Sequence, residues 1–446
     1  MTRSMAYVWN KDAYVSLFWL FVMQMIVALS TYLIATSMKF ITTDMNTAYF
    51  YMGLFVVSLF LVYFPSAIAT IYLERWKVSA QKRFIEGFTS LNFGKLSLDR
   101  QKCKDEHEGW VTTESIILYG EATESIYQIL GTALNTLLSI IMVSLILDVS
   151  ILLWYLLAIC LVTGIKVLSK KKIEANASLV QKKRSAVIST LSRMWVNTIS
   201  GSPQTYDNWQ KAFVKNSDTW KQRAALNELF LMCISSFSAM SALIILCTGN
   251  ILYLTSLNSP EAIAVFVVTL PRQVQIMQST FSFFDHYLKW VGISQKLQNL
   301  DKHLELNVED ARKFINLKHI RINGSQFDSI EAIKDYVQRR PNGRYTIQGK
   351  NGAGKSTLLR SLVAGEKYVF VPSNFRDLEF ANLRGNTSSD GESVRQLLDS
   401  IHHLDNIDTL YLDEWDASLD IDNKARMHAE VRELAEQKRI IEVVHG

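Results

Sequence analysis

Cysteine is scarce in this chain. Its four residues, Cys103, Cys160, Cys233 and Cys247, make no CxxC pair and no disulfide framework. The eight histidines fall in no HExxH or other metal-ligand spacing. Charged residues are only 20% against 49% hydrophobic, which excludes a disordered or collagen-like chain. A net charge of +5 is too small to argue for nucleic acid by itself. Proline is rare as well, with six residues in 446, so long stretches lack a helix breaker. That length suggests two or three domains. A soluble protein is excluded once the apolar residues are located.

They concentrate in the first part of the chain. No Asp, Glu, Lys or Arg occurs in Ala13–Met38 (26 residues), Met45–Leu73 (29), Ser125–Leu147 (23), Val149–Ile165 (17) or Leu229–Pro260 (32). Ala262–Phe284 has a single charge, Arg272. A spanning helix needs about 20 apolar residues. Six spans are therefore expected. The first is too long for the apolar part of a cleavable signal peptide.

The connecting segments alternate in character. Lys39–Asp44, Asp148 and the turn around Glu261 are short. Glu74–Glu124 carries eight Lys or Arg, and Lys166–Glu228 carries twelve. The positive-inside rule puts these two segments and both termini in the cytoplasm. Runs such as Lys170–Lys172 and Lys182–Arg184 read as that orientation signal, with a specific lipid or nucleic-acid site as the alternative. Both long segments lack Gly/Pro punctuation over long stretches and read as helical extensions of the spans, with a turn at Gly201-Ser202-Pro203 and a second polar stretch at Asp99–Glu108.

Composition shifts near residue 292. Residues 293–313 read as a helical linker, and 314–446 alternate short strands, turns and helices in an α/β pattern. There GKNGAGKS, Gly349–Ser356, fits GxxxxGK[ST] between an expected strand, Arg344–Gln348, and an expected helix, Thr357–Ala364. The glycines let backbone N–H groups turn inward around phosphates, and the helix start adds positive charge. Lys355 would reach the β- and γ-phosphates, and Ser356 would hold Mg²⁺. Thr409–Leu412 is an apolar strand that ends in Asp413-Glu414. An acid there holds Mg²⁺, and the next carboxylate orients attacking water.

Together these features resemble the ATP-binding cassette (ABC) transporter family, in its exporter-type half-transporter form: a polytopic α-helical membrane domain of six spans, residues 1–292, fused to an α/β P-loop NTPase domain. Gly349–Ser356 matches the Walker A motif, and Leu410–Glu414 matches Walker B. The resemblance implies ATP and Mg²⁺ as cofactors. Gly349, Asn351, Gly352, Ala353, Gly354, Lys355, Ser356 and Thr357 would bind ATP, and Ser356 and Asp413 the metal. Glu414 stands in the place of the catalytic glutamate, and His445 in that of the switch histidine. Asp420, in Ser418-Leu419-Asp420, matches the D-loop. Ser389, Gly391 and Glu392 belong to a degraded signature motif that would complete a partner's ATP site. Phe327 is either the aromatic that stacks on adenine or an ordinary core residue.

The chain also departs from the family. Asp390 replaces a signature glycine, Ser373 stands where a glutamine is usual, and Trp415 is unusual after Glu414. Sixteen positions between Ser373 and Ser389 leave no room for the helical subdomain, and the chain stops one residue after His445.

The resemblance implies alternating access by a dimer, a homodimer or a heterodimer with another half-transporter. It implies export of a peptide, lipid or amphipathic small molecule, contact with membrane lipid and no nucleic acid. Short outer loops and a cytoplasmic cassette suit a bacterial inner membrane. A nucleotide-gated sensor and a non-transporting partner subunit are the alternatives that the reduced cassette raises. Arg272, Gln275 and Gln278 are expected to line the translocation path, unless Arg272 sits at the membrane interface.

Overall fold

A computed structural model describes residues 2–99, 101–255, 259–307, 311–365, 367–373, 375, 378, 390–402, 406–417 and 419–444. The chain forms two compact units. One comprises Met1–Leu91 and Glu108–Glu305, the other Asn92–His107 and Leu306–Gly446.

The first unit is helical. It contains α1 (Arg3–Val8), α2 (Lys11–Phe40), α3 (Met45–Leu61) and α4 (Tyr63–Asn92), the last reaching one residue into the other unit. The short α5 (Gln101–Gly109), whose residues up to His107 belong to the second unit, continues through a π-helical turn, Trp110–Glu114, into α6 (Ser115–Ile146). Then come α7 (Ser150–Leu191), α8 (Met194–Ile199), α9 (Pro203–Thr255) and α10 (Pro260–Leu300). Caps explain several starts. Asn10 accepts from the Ala13 N–H at 3.0 Å, Asp44 caps α3, and Ser259 with Pro260 begins α10. The turn at Gly201-Ser202-Pro203 ends with Pro203 as the first residue of α9.

Among the described residues, five helices are long and apolar enough to cross a membrane: Lys11–Phe40, Met45–Asn92, Glu106–Ile146, Ser150–Leu191 and Pro203–Thr255. The sixth expected span is α10, a 41-residue helix that is not among those five. Six of the nine residues from Arg272 to Thr280 are polar.

Packing between these helices uses small residues. On α2, Ala13, Ser16, Leu20, Gln24, Ala28 and Thr31 recur every three or four residues and are buried. The Ser16 hydroxyl donates to the Ala69 carbonyl at 2.9 Å, and that of Ser37 to the Ala48 carbonyl at 2.8 Å. At one end, α1 is tied into the bundle. Trp76 Nε1 donates to the Val8 carbonyl and Tyr119 Oη to the Ser4 carbonyl, around a core that includes Phe84 and Leu297.

The second unit holds a mixed five-stranded sheet among its described residues. Its strands are β1 (Ile320–Ile322), β2 (Gly343–Gly349), β3 (Tyr368–Val371), β4 (Thr409–Asp413) and β5 (Arg439–Val443), in the order β1-β2-β5-β4-β3. Only β1 runs antiparallel. Its helices are α11 (Ile330–Gln338), α12 (Lys355–Leu362), α13 (Asp390–His402) and α14 (Ile421–Gln437). β4 is buried along its whole length, which explains its unbroken apolar run before Asp413.

Behind β4 and β5 lies a buried ionic cluster. Glu442 accepts from Arg344 Nε at 2.7 Å and from the Thr346 hydroxyl at 2.9 Å. Arg344 also meets His428, whose Nε2 is 3.0 Å from Asp416. Lys424 lies 2.9 Å from the same carboxylate. Trp415 is buried here, with Nε1 3.4 Å from Glu442. Its place after Glu414 therefore has a packing reason.

Two outcomes follow for unfolding of the full chain in detergent. Glu442→Gln strands the half-buried Arg344 and should destabilise the sheet unit by about 3 kcal/mol or more. Burial pushes the Asp416 carboxyl up, but Lys424 and His428 outweigh it and hold the group below the ordinary carboxylate range. The stability it contributes is present above the unfolded value of about 3.9 and is lost as pH falls through the lower folded value. Asp416→Asn should flatten that acid limb in a pH series of melting temperatures.

Candidate functional site

The candidate site lies at the carboxyl ends of the parallel strands, where open α/β sheets bind ligands. One strand separates its two halves. Ile347 of β2 and Asp413 of β4 both pair with Val443 of β5, so they are level across the sheet.

Residues 350–354 connect β2 to α12, as the motif requires. Gly352 and Gly354 have φ of +77° and +88°, a region that side chains rarely adopt. Space is as restrictive as conformation. A Cβ on Gly354 would lie 2.3 Å from the Phe314 carbonyl oxygen, and one on Gly349 2.3 Å from that of His319. Ala353 is buried, and its carbonyl accepts from the Asn316 N–H at 3.0 Å. Asn351 and Gly352 are exposed at the tip.

Lys355 begins α12 and is buried. Its Nζ donates to the Gly349 carbonyl at 3.0 Å and is 3.5 Å from Asn351 Oδ1. The ammonium is therefore held inside the loop's concave side. Ser356 and Thr357 follow in the first turn, half-buried.

Asp413 ends β4, buried, with the Ser356 hydroxyl close enough to favour its charged form. Burial pushes its carboxyl above the ordinary range. The Ser356 hydrogen bond and the Arg360 charge offset only part of this, and Glu414 and Asp99 add to the rise. Asp413 Oδ1 is buried without a hydrogen-bond partner. A raised carboxyl with an unused oxygen beside a hydroxyl fits a hard cation such as Mg²⁺. Among the described residues no group of three or more His, Cys, Asp or Glu is placed to hold a metal ion by itself. A Mg²⁺ held by Ser356 and Asp413 would take its other ligands from phosphate oxygens and water.

Glu414 follows with φ of +50°, in the left-handed region, and its N–H donates to the Val443 carbonyl at 3.2 Å. A non-glycine residue there costs on the order of 1–3 kcal/mol, and such residues cluster at functional sites. The turn takes the chain off the sheet immediately after Asp413.

Sequence reasoning missed Arg360. It lies on α12, and its Nη2 is 3.0 Å from Asp99 and 3.4 Å from Asp413. Its guanidinium also lies over the Phe370 ring at 5.9 Å. Asp99 belongs to the segment 92–107 that packs within this unit. Lys95 Nζ donates to the Leu306 carbonyl at 3.1 Å, and the Leu306 N–H donates to Asn92 Oδ1 at 3.0 Å. The only sequence signal was a basic residue four positions after Ser356, which points to no partner.

The remaining expected residues lie elsewhere. Asp420 caps α14, accepting from the Asn423 N–H at 2.8 Å. Phe327 is half-buried and packs on Tyr336 with ring centroids 5.0 Å apart, in the core cluster of β1, β2 and α11. Gly391 and Glu392 fall in the first turn of α13, and Ser373 is exposed after β3. Ser389 and His445 lie outside the described residues.

In the helical unit, Arg272 is buried. It donates to Asn135 at 3.0 Å and Ser139 at 2.5 Å on α6, and to Gln275 at 2.5 Å. Asn135 in turn donates to Ser279 at 2.5 Å. Arg272 thus joins α10 to α6, whereas Gln275 and Gln278 are exposed. The three do not form one cluster.

Comparison with known proteins finds no family model that matches this chain and no curated protein that matches it. Geometry and sequence pattern carry the functional argument.

The two partners of Arg360 differ in worth. Asp99 is more than half exposed, and such pairs contribute about 0–1 kcal/mol. Asp413 is buried, and stranding one member of a buried pair costs about 3–5 kcal/mol. Asp99→Asn should therefore leave stability within about 1 kcal/mol, whereas Arg360→Gln should cost roughly 3 kcal/mol. Parallel unfolding of the two variants checks the difference.

Proposed function

We propose that this chain is an ATP-driven membrane transporter, an exporter-type half-transporter of the ABC family. One observation carries the reading. A glycine loop of GxxxxGK[ST] pattern joins β2 to α12 and sets Ser356 against Asp413, in a chain that also has five long apolar helices. In this reading the sheet unit is a P-loop NTPase domain, and α10 serves as the sixth span.

ATP supplies the free energy through hydrolysis of its terminal phosphate. Backbone N–H groups of residues 351–356 cradle the phosphates, helped by the start of α12. Lys355 exchanges its bond to the Gly349 carbonyl for the phosphate oxygens. Ser356 and Asp413 would hold Mg²⁺, which would offset the charge on the phosphates, and Glu414 would orient the attacking water and take up its proton. Two chains close head to tail, each lending the α13 start to the other's site, and the spans alternate their access. In this reading the charge pattern favours both termini in the cytoplasm, closed symmetry favours a homodimer, and short outer loops with a cytoplasmic cassette suit a bacterial inner membrane.

A second reading keeps nucleotide binding without rapid turnover, as a sensor or as the weak half of a heterodimer. Asp390 favours it. It begins α13 where the family carries a glycine, and a carboxylate facing a γ-phosphate is repelled.

The deciding measurement is ATPase activity of the purified chain in lipid, beside Glu414→Gln, with oligomeric state recorded. The transporter reading expects activity that falls by about 10²-fold or more in the variant, as loss of the group that activates water implies. No activity in either protein, with ATP still bound, favours the second reading.

A further inference from the structure

Arg360 stands between two carboxylates. Its Nη2 is 3.0 Å from Asp99 and 3.4 Å from Asp413. The guanidinium is mostly buried, and its Nε has no hydrogen-bond partner. One cation therefore divides its charge between two anions from distant parts of the chain.

Asp99 is held there by its backbone as well as by its side chain. It follows the 3₁₀ turn Leu96–Leu98, and its N–H donates to the Leu96 carbonyl at 3.1 Å. That turn packs against α12, the helix that carries Arg360. Lys95, just before the turn, is tied to the Leu306 carbonyl. The ion pair is thus built into the sheet unit and is not a chance meeting of two loose side chains.

Both charges reach Asp413. Arg360 favours its ionised form, and Asp99 opposes it. A proton and a metal ion are both cations that compete for the same carboxylate oxygens. A neighbouring charge that disfavours one therefore disfavours the other. Arg360 makes the buried carboxylate tolerable, but it works against a metal ion there. Asp99 works for the metal ion in two ways. Its own negative charge attracts a cation, and its bond to Arg360 draws the guanidinium away from Asp413. The oxygen left for the metal is Asp413 Oδ1, which has no hydrogen-bond partner.

We infer that Arg360 and Asp99 are positioning residues that set the affinity of Ser356 and Asp413 for Mg²⁺. Arg360 weakens that affinity, and Asp99 restores it by taking up part of the Arg360 charge. The inference rests on the nucleotide-binding reading. It adds to that site a residue of segment 92–107, far outside the glycine loop and the strand end that carry the motif.

The test measures how much Mg²⁺ strengthens binding of a fluorescent ATP analogue to the full chain in detergent at pH 8. The readout is the ratio of Kd in EDTA to Kd in Mg²⁺, in which a general loss of binding cancels. Asp99→Asn should lower this ratio about threefold, the size that an exposed ion pair allows. Asp99→Glu should restore it, and Arg360→Gln should raise it above the wild type. Opposite shifts in the two variants are the signature, because a clamp that only holds the fold together would not move them apart. An unchanged ratio in Asp99→Asn, an equal fall in Asp99→Glu, or a fall in Arg360→Gln would each overturn the inference. If Arg360→Gln no longer binds the analogue in EDTA, the decision rests on Asp99→Asn against Asp99→Glu. A wild type whose binding ignores Mg²⁺ would remove the nucleotide reading and the inference with it. A normal Mg²⁺ effect that Asp99→Asn leaves intact would remove the inference alone.

Discussion

Burial of Asp413 is the constraint on which the sheet unit depends. A carboxylate at the end of a fully buried strand needs compensation. Ser356 and Arg360, both on α12, supply it, so the helix after the glycine loop is registered against β4 across the intervening β5. The same demand fixes the loop, because α12 can start at Lys355 only if Gly354 takes a left-handed turn beside Phe314. One oxygen of Asp413 still lacks a partner. The site is thus incomplete in the sense that functional sites often are: a local energetic deficit that a ligand would relieve.

The helical unit solves a related problem with different residues. Several of its buried polar side chains find partners. Ser16 and Ser37 bond to carbonyls of neighbouring helices, and Arg272 spends its donors on Asn135, Ser139 and Gln275. The bonds to Ala69, Ala48, Asn135 and Ser139 join two helices, and each satisfies a group that hydrocarbon would leave bare.

What was legible in the sequence was what is local in the chain. The glycine loop, its flanking strand and helix, the acid after β4 and the five long apolar helices all announce themselves within short windows. Residues whose role comes from distant partners did not. Arg360 meets carboxylates 53 and 261 positions away, and Glu442 meets Arg344 98 positions away. No periodicity encodes such pairs. Phe327 allowed two readings in the sequence, and its packing on Tyr336 sets it among core residues. Arg272 looked like a lining residue because it interrupts an apolar run. Its partners on α6, reached across the bundle, add a cross-linking position that the sequence did not show.

The sheet unit is discontinuous, and this has a consequence for biosynthesis. Residues 92–107 leave the ribosome about 200 residues before 306–446, the rest of the unit they belong to. At about 5–20 residues per second, that gap lasts roughly 10–40 s. During it three of the five long apolar helices are synthesised, and Asp99 has no Arg360 to meet. Segment 92–107 must stay solvated until its partner arrives, which suits its polar composition from Asp99 to Glu108. Closing the unit then joins elements far apart in sequence, the slow kind of contact. Assembly of the sheet unit is thereby made to wait for the helices that precede it.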